Sequence, residues 1–150
     1  MERRENALKK YLVKIMGTRW HVQSHEDRYS EGIPDLSFGV IGANGWIELK
    51  QIKEWPVKTE TMARPKKFTP AQVNWLLRRG KRAGFCYVMV KVAQHDFFLF
   101  HFMEARALRE GRTKDWYLAN SLKHWQGNID PAELVGLLSK EHPLPCTQTL

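Results

Sequence analysis

Cysteine is scarce in this chain: Cys86 and Cys146 lie far apart, the first inside an apolar stretch and the second in a proline-flanked tail. That excludes a disulfide framework and any cysteine-based zinc site, whose ligands come in closely spaced pairs. It points to a reducing, cytoplasmic setting. Long apolar runs are missing as well. With no 18-residue hydrophobic stretch and no charged-then-apolar leader, the expectation is a soluble, unsecreted protein with no membrane partner. The six histidines (21, 25, 95, 101, 124 and 142) form no metal-binding set. His21 and His25 have i,i+4 spacing, which matters only on a helix, and the alternation of Trp20 and Val22 argues for a strand there. There is no glycine-rich nucleotide-phosphate loop, no internal repeat and no low-complexity tract.

Acid is the other shortage. Sixteen Asp and Glu face 24 Lys and Arg, a net charge of +8. The excess is concentrated: from Lys58 to Arg82 eight basic residues (Lys58, Arg64, Lys66, Lys67, Arg78, Arg79, Lys81 and Arg82) stand against the single acid Glu60. A segment so basic suits a polyanion, because each neutralised phosphate releases condensed counterions. The alternative is a solvated face that serves solubility. At 150 residues the chain is long enough for one domain with its own core.

What is present is a pair of short motifs. In Gly32-Ile33-Pro34-Asp35-Leu36-Ser37-Phe38-Gly39-Val40, the residues Leu36, Phe38 and Val40 alternate with smaller ones, the period of a half-buried strand, which puts Asp35 at the strand's mouth. Gly42-Ala43-Asn44-Gly45 then suits a hairpin turn, and Trp46-Ile47-Glu48-Leu49-Lys50 forms the partner strand. With period two, Glu48 and Lys50 share one face while Ile47 and Leu49 enter a core from the other. Hydrolysis of an anionic phosphodiester needs a divalent cation, because the phosphate repels hydroxide. Asp35, Glu48 and a backbone carbonyl such as that of Leu49 are hard oxygen donors suited to Mg²⁺ or Mn²⁺. Lys50 beside them can orient or deprotonate water, or stabilise transition-state charge.

Around the motifs, Leu8, Leu12 and Ile15 predict a helix over residues 2–16, stopped at Gly17. Residues 53–68 read as an exposed loop whose basic residues could clamp a DNA backbone. Thr69 as N-cap and Pro70 at the first helical position open a helix that ends at Gly84. Gln72 in its first turn could hold a phosphate or a metal-bound water. Strands follow at 85–92 and 97–102, then helices over 103–110, 114–124 and 131–140. The tail 141–150 is expected to be disordered. Of the six tryptophans, Trp55 is the one placed for base stacking.

The segments Pro34-Asp35, Glu48-Leu49-Lys50 and Thr69-Pro70-Ala71-Gln72 resemble the PD-(D/E)XK nuclease superfamily, in particular the Holliday-junction-resolvase-type and VRR-NUC-like small phage nucleases. The resemblance covers residues 2–102. It implies an α/β restriction-endonuclease-like core, a central mixed sheet flanked by helices, here with extra helices after residue 103. It further implies a Mg²⁺-dependent endodeoxyribonuclease, acting on branched DNA such as Holliday junctions, leaving 5′-phosphate and 3′-hydroxyl ends. A homodimer, and a host cytoplasm for a phage-encoded protein, follow from the same resemblance. A further acid completing the carboxylate cluster is expected at Glu5 on the first helix, with Glu2 one turn earlier, or at Glu26 in the loop ahead of the motif, where Glu31 also lies. The alternatives are a non-catalytic nucleic-acid-binding module and an exonuclease or flap nuclease on the same fold, which the same residues would serve.

Overall fold

The structure, a computed structural model, describes residues 2–17, 20–26, 31–40, 42–140 and 142, and among residues 2–6 it describes the backbone alone. A six-stranded sheet organises it, with strands in sequence order: β1 (His21–Ser24), β2 (Leu36–Val40), β3 (Ala43–Ile52), β4 (Cys86–Val92), β5 (Asp96–His101) and β6 (Lys123–Gln126). Every neighbouring pair is antiparallel except β3 and β4. Those two run parallel because the connection between them crosses over as a helix, α2 (Pro70–Ala83). The sheet is therefore mixed, as expected.

Helices cover both faces. On one, α1 (Glu2–Met16) sets Leu8, Leu12 and Met16 at helical spacing against Ile47, Leu49, Tyr87, Met89 and Leu99. Leu134 and Leu138 of α5 (Pro131–Leu138) join the same cluster. On the other, α2 contributes Val73 and Leu76, and the chain after β5 contributes a 3₁₀ turn (Phe102–Glu104), α3 (Ala105–Glu110) and α4 (Lys114–Asn120), packing Phe102, Leu108 and Tyr117 over Val88, Val90, Phe98 and Phe100. Among the described residues no helix is long and apolar enough to cross a membrane.

Three expectations need correcting. The helix over 114–124 stops at Asn120, and Lys123–Gln126 is a sixth strand. The edge of β5 offers unpaired backbone groups, which Leu122 N–H takes up by donating to Leu99 O at 2.8 Å, and Trp125 buries its indole among the α1 and α5 side chains. The hairpin turn is shorter than Gly42 to Gly45: Val40 already pairs with Ala43, so Asn44 and Gly45 belong to the strand. Gly42 has the positive φ (88°), whereas Gly45 is required for closeness, since a Cβ there would lie 2.2 Å from Phe85 O and 2.5 Å from the Phe38 ring. Finally, residues 53–68 are not simply an exposed loop. Ala63 is bonded in both directions to Arg112 (2.8 and 3.1 Å), and Ala63 and Phe68 are buried.

Candidate active site

Asp35 arrives at the site through a tight approach. Gly32 has φ +90°, and a Cβ there would stand 2.5 Å from Ala71 O in the first turn of α2. Only glycine lets the Pro34-Asp35 turn press so closely on that helix. From there Asp35 Oδ2 accepts a hydrogen bond from Leu49 N–H at 2.9 Å, which fixes its carboxylate beside β3.

Glu48 and Lys50 lie on the same face of β3, as strand parity predicts, but the face is not a polar surface: the two residues are 1% and 3% exposed. Helix α2 and the loop before it cover them. Burial is tolerable because Lys50 Nζ meets three acceptors, the full donor capacity of an ammonium. These are Glu48 Oε1 at 3.3 Å, Gln72 Oε1 at 3.0 Å and Lys67 O at 3.1 Å. The Phe68 ring lies 5.0 Å from the same nitrogen, a cation–π contact.

Gln72 makes two kinds of contact, and neither is the hold on a phosphate or a metal-bound water expected of it. It completes a capping box with Thr69, whose Oγ1 accepts from Gln72 N–H at 3.2 Å while Gln72 Oε1 accepts from Thr69 N–H at 3.0 Å. The same Oε1 accepts from Lys50, so the helix start is also a support for the lysine.

Glu48 is the unbalanced group. Its Oε1 pairs with Lys50, but Oε2 is buried and, among the described residues, no donor reaches it. Desolvation raises its pKa well above the usual carboxylate value, and the Asp35 charge adds to the rise against the opposing pull of Lys50. An orphaned buried carboxylate oxygen beside a second carboxylate is a place where a cation relieves both the desolvation and the repulsion. Among the described residues no group of three or more His, Cys, Asp or Glu side chains is placed to hold a metal. Two carboxylates nevertheless fit Mg²⁺, which is held by one or two carboxylates with substrate phosphates and water completing its octahedron.

The remaining candidates divide. The side chain of Glu5 lies outside the described residues, as do those of Glu2 and any in the 27–30 stretch, and the tail from 143 onward lies outside them too. Glu26 is described: its side chain is 82% exposed and pairs with Lys9 of α1 at 4.0 Å, with no bond to Asp35 or Glu48. Trp55 is not free for base stacking. Its Nε1 donates to Asp96 Oδ2 at 3.1 Å and its ring packs edge-on against Phe98 and Tyr117. Of the basic residues, Lys58 is exposed in the loop, Arg78 is exposed on α2, and Arg79 holds its guanidinium over Trp75 (5.0 Å) and Trp46 (5.8 Å). Arg64, Lys66 and Lys67 instead line one cleft together with Arg109 of α3.

The structure is similar to that of Hjc, a Holliday junction resolvase from the archaeal hyperthermophile Archaeoglobus fulgidus, with a TM-score of 0.56 and 18% sequence identity over 91% of this chain and 98% of the resolvase. The fold is resolvase-like. It is the mixed α/β arrangement of the restriction-endonuclease type, and the likeness extends beyond residue 102 into the C-terminal third, since it spans nearly the whole chain. No protein-family model and no curated protein matches the sequence.

Sequence reasoning missed three residues in and around the site. Trp46 has the parity of Glu48 and meets the His25 ring in a tilted contact at 4.8 Å, and His25 Nε2 in turn lies 2.7 Å from Ser37 Oγ while its backbone N–H donates to Asp35 O. Parity could have found Trp46; nothing local signals His25. Arg109, three elements downstream, carried no signal at all.

Proposed function

We propose that this protein is a divalent-metal-dependent endodeoxyribonuclease of the PD-(D/E)XK superfamily, of resolvase type, acting on branched DNA. The observation that carries the reading is Glu48 Oε2, buried beside Asp35 with no donor to it among the described residues, and next to a fully bonded Lys50. The resolvase-like fold supports it.

Asp35, Glu48 and the Leu49 carbonyl would hold Mg²⁺ or Mn²⁺, which supplies Lewis acidity and an activated water. The chain's own residues do the rest. The Leu49 N–H keeps the Asp35 carboxylate turned toward Glu48. Lys50 holds the other oxygen of Glu48 and, with its three N–H groups engaged, would act by its positive charge on the charge developing at the phosphate. Gln72 Oε1 and Lys67 O keep that ammonium in place, and Phe68 shields it from water. Resolution of a four-way junction needs two cuts, so a homodimer is the working form.

The test is a cleavage assay with Mg²⁺ or Mn²⁺ on linear, flap and four-way-junction DNA. Asp35→Ala and Lys50→Ala are each expected to lose at least ~100-fold in single-turnover rate, the usual weight of a group acting on the reacting atoms. A wild type that binds these DNAs and cuts none of them would make the protein a nucleic-acid-binding module instead, and cleavage confined to ends or flaps would make it an exonuclease or flap nuclease.

A further inference from the structure

Behind the catalytic lysine lies a second cationic feature. Residues 64–68 and α3 enclose a cleft of about 240 Å³ lined by Arg64, Pro65, Lys66, Lys67, Phe68 and Arg109. Four of these six are cations, and all four are exposed. Among the described residues none of the four side chains has an ion pair or hydrogen bond, unlike Arg112, which pairs with Glu110 at 3.0 Å, or Lys123, which pairs with Glu133 at 2.8 Å. Like charges converging on one concavity without an acid repel one another, and nothing in the cleft itself offsets that.

The cleft is built rather than incidental. The loop is held against the end of α3 by the Ala63 and Arg112 backbone pair. Gly111 has φ +97°, and a Cβ there would come to 3.3 Å from Arg64 Cβ, so the loop is seated against a residue with no side chain. Lys67 is one of two non-glycine residues with positive φ (62°) among the described residues. A lysine in the left-handed region is costly by about 1 kcal/mol or more. The strain has a geometric result: the Lys67 carbonyl turns to accept from Lys50 Nζ while its side chain lines the cleft. Phe68 likewise serves both, with its ring near Lys50 Nζ while the residue lines the cleft.

We infer that this cleft is a second phosphate-binding site, which takes a backbone phosphate of the bound DNA away from the scissile one, with Lys67 joining it to the support of Lys50. The inference rests on the nuclease reading for its substrate, but not for its existence, because an anion site can be measured without cleavage. Arg109 is the addition: it comes from beyond the motif-bearing core and makes recognition of the DNA backbone depend on the C-terminal third of the chain.

The experiment measures affinity for a fluorescent four-way junction and for a duplex, in EDTA, across a salt series, for wild type, Lys66→Gln, Arg109→Gln and Lys140→Gln. Lys140 is an exposed lysine two residues beyond α5, the helix that covers the opposite face of the sheet, and controls for net charge. The three side chains are exposed, so the variants are expected to fold. Each cleft variant should bind about fivefold more weakly near 0.15 M salt, and its plot of log affinity against log salt should flatten by about 0.9, the signature of one lost phosphate contact. Lys67→Gly, which keeps the left-handed backbone but removes the cation, should flatten the slope equally. Slopes for Lys66→Gln and Arg109→Gln no different from that of Lys140→Gln would overturn the inference even if the wild type cuts DNA. A cleft-dependent slope in a protein that cuts nothing would uphold the cleft and remove the nuclease.

Discussion

Glu48 and Lys50 stand two residues apart on one strand, both almost fully buried, and each alone would be a heavy burden on the fold. What makes the pair tolerable is the count of partners for the lysine, three acceptors, whereas the glutamate has Lys50 at Oε1 and, among the described residues, no donor at Oε2. Two predictions belong here. Adding Mg²⁺ should raise the thermal midpoint of the wild type, by the equivalent of about 2.7 kcal/mol at a hundredfold excess over Kd, and should leave Asp35→Asn unmoved; calorimetry reads this without any cleavage. Gly32→Ala should cost several-fold or more in cleavage, because the added methyl must displace the first turn of α2 from Asp35; a single-turnover rate equal to wild type would refute the account of that glycine.

Among the elements, α2 carries most of the site's precision. Its N-terminus is a capping box whose glutamine also steadies Lys50, its middle supplies Val73 and Leu76 to the core, and Gly84, with φ 82°, closes it. Removing the cap by Thr69→Ala should cost about 1 kcal/mol in stability, and it should also slow cleavage, since Gln72 loses the partner that orients it. Near the other end, Gly80 lies against Phe102, with the ring 2.3 to 2.5 Å from where a Cβ would be. Helix propensity alone favours alanine there by about 1 kcal/mol, but overpacking against an aromatic ring in the core costs about 1 to 3 kcal/mol. Gly80→Ala is therefore expected to lower the urea midpoint, and an increase would show that Phe102 can move aside.

At the scale of the whole molecule, the last strand and helix are part of the sheet and its core. Trp125, Ile129, Leu134 and Leu138 pack with Leu8 and Leu12, and Ile129 N–H donates to Tyr11 OH at 2.9 Å across 118 residues of sequence. A chain ending at residue 122 should fail to unfold cooperatively, as followed by circular dichroism, because it exposes that apolar face. His101 adds a pH dependence. Burial, with the nearby His142, lowers its pKa to about 4 from 6.5, and its Nδ1 accepts from Met103 N–H at 3.4 Å, which requires the neutral ring on that side. The unfolded chain thus binds the proton more readily, so stability is complete above about pH 6.5 and falls as pH drops toward 4, by at most ~3 kcal/mol. His101→Phe should flatten that slope in denaturant titrations between those limits.

Much of this was legible in the chain itself. Alternation over residues 36–40 and 46–50, with a short connection, is enough to pair β2 with β3 and to put Glu48 and Lys50 on one side, because side-chain direction in a strand depends only on parity. The Thr69-Pro70 start and Gly84 stop of α2 are likewise local chemistry. Residues 123–126 could not be read in the same way, since four residues with one buried indole carry no period, and it is the open edge of β5 that makes them a strand. Nor could burial of the motif: parity says which residues share a face, whereas what covers that face is decided by a loop and a helix arriving from 17 to 22 positions away. The β2–β3 pairing and the side-chain parity along it are properties of the sequence. The unpaired Glu48 oxygen, the three-way grip on Lys50 and the meeting of Arg109 with the 64–67 loop exist only once distant segments are packed together, because each is a matter of which groups water has been excluded from.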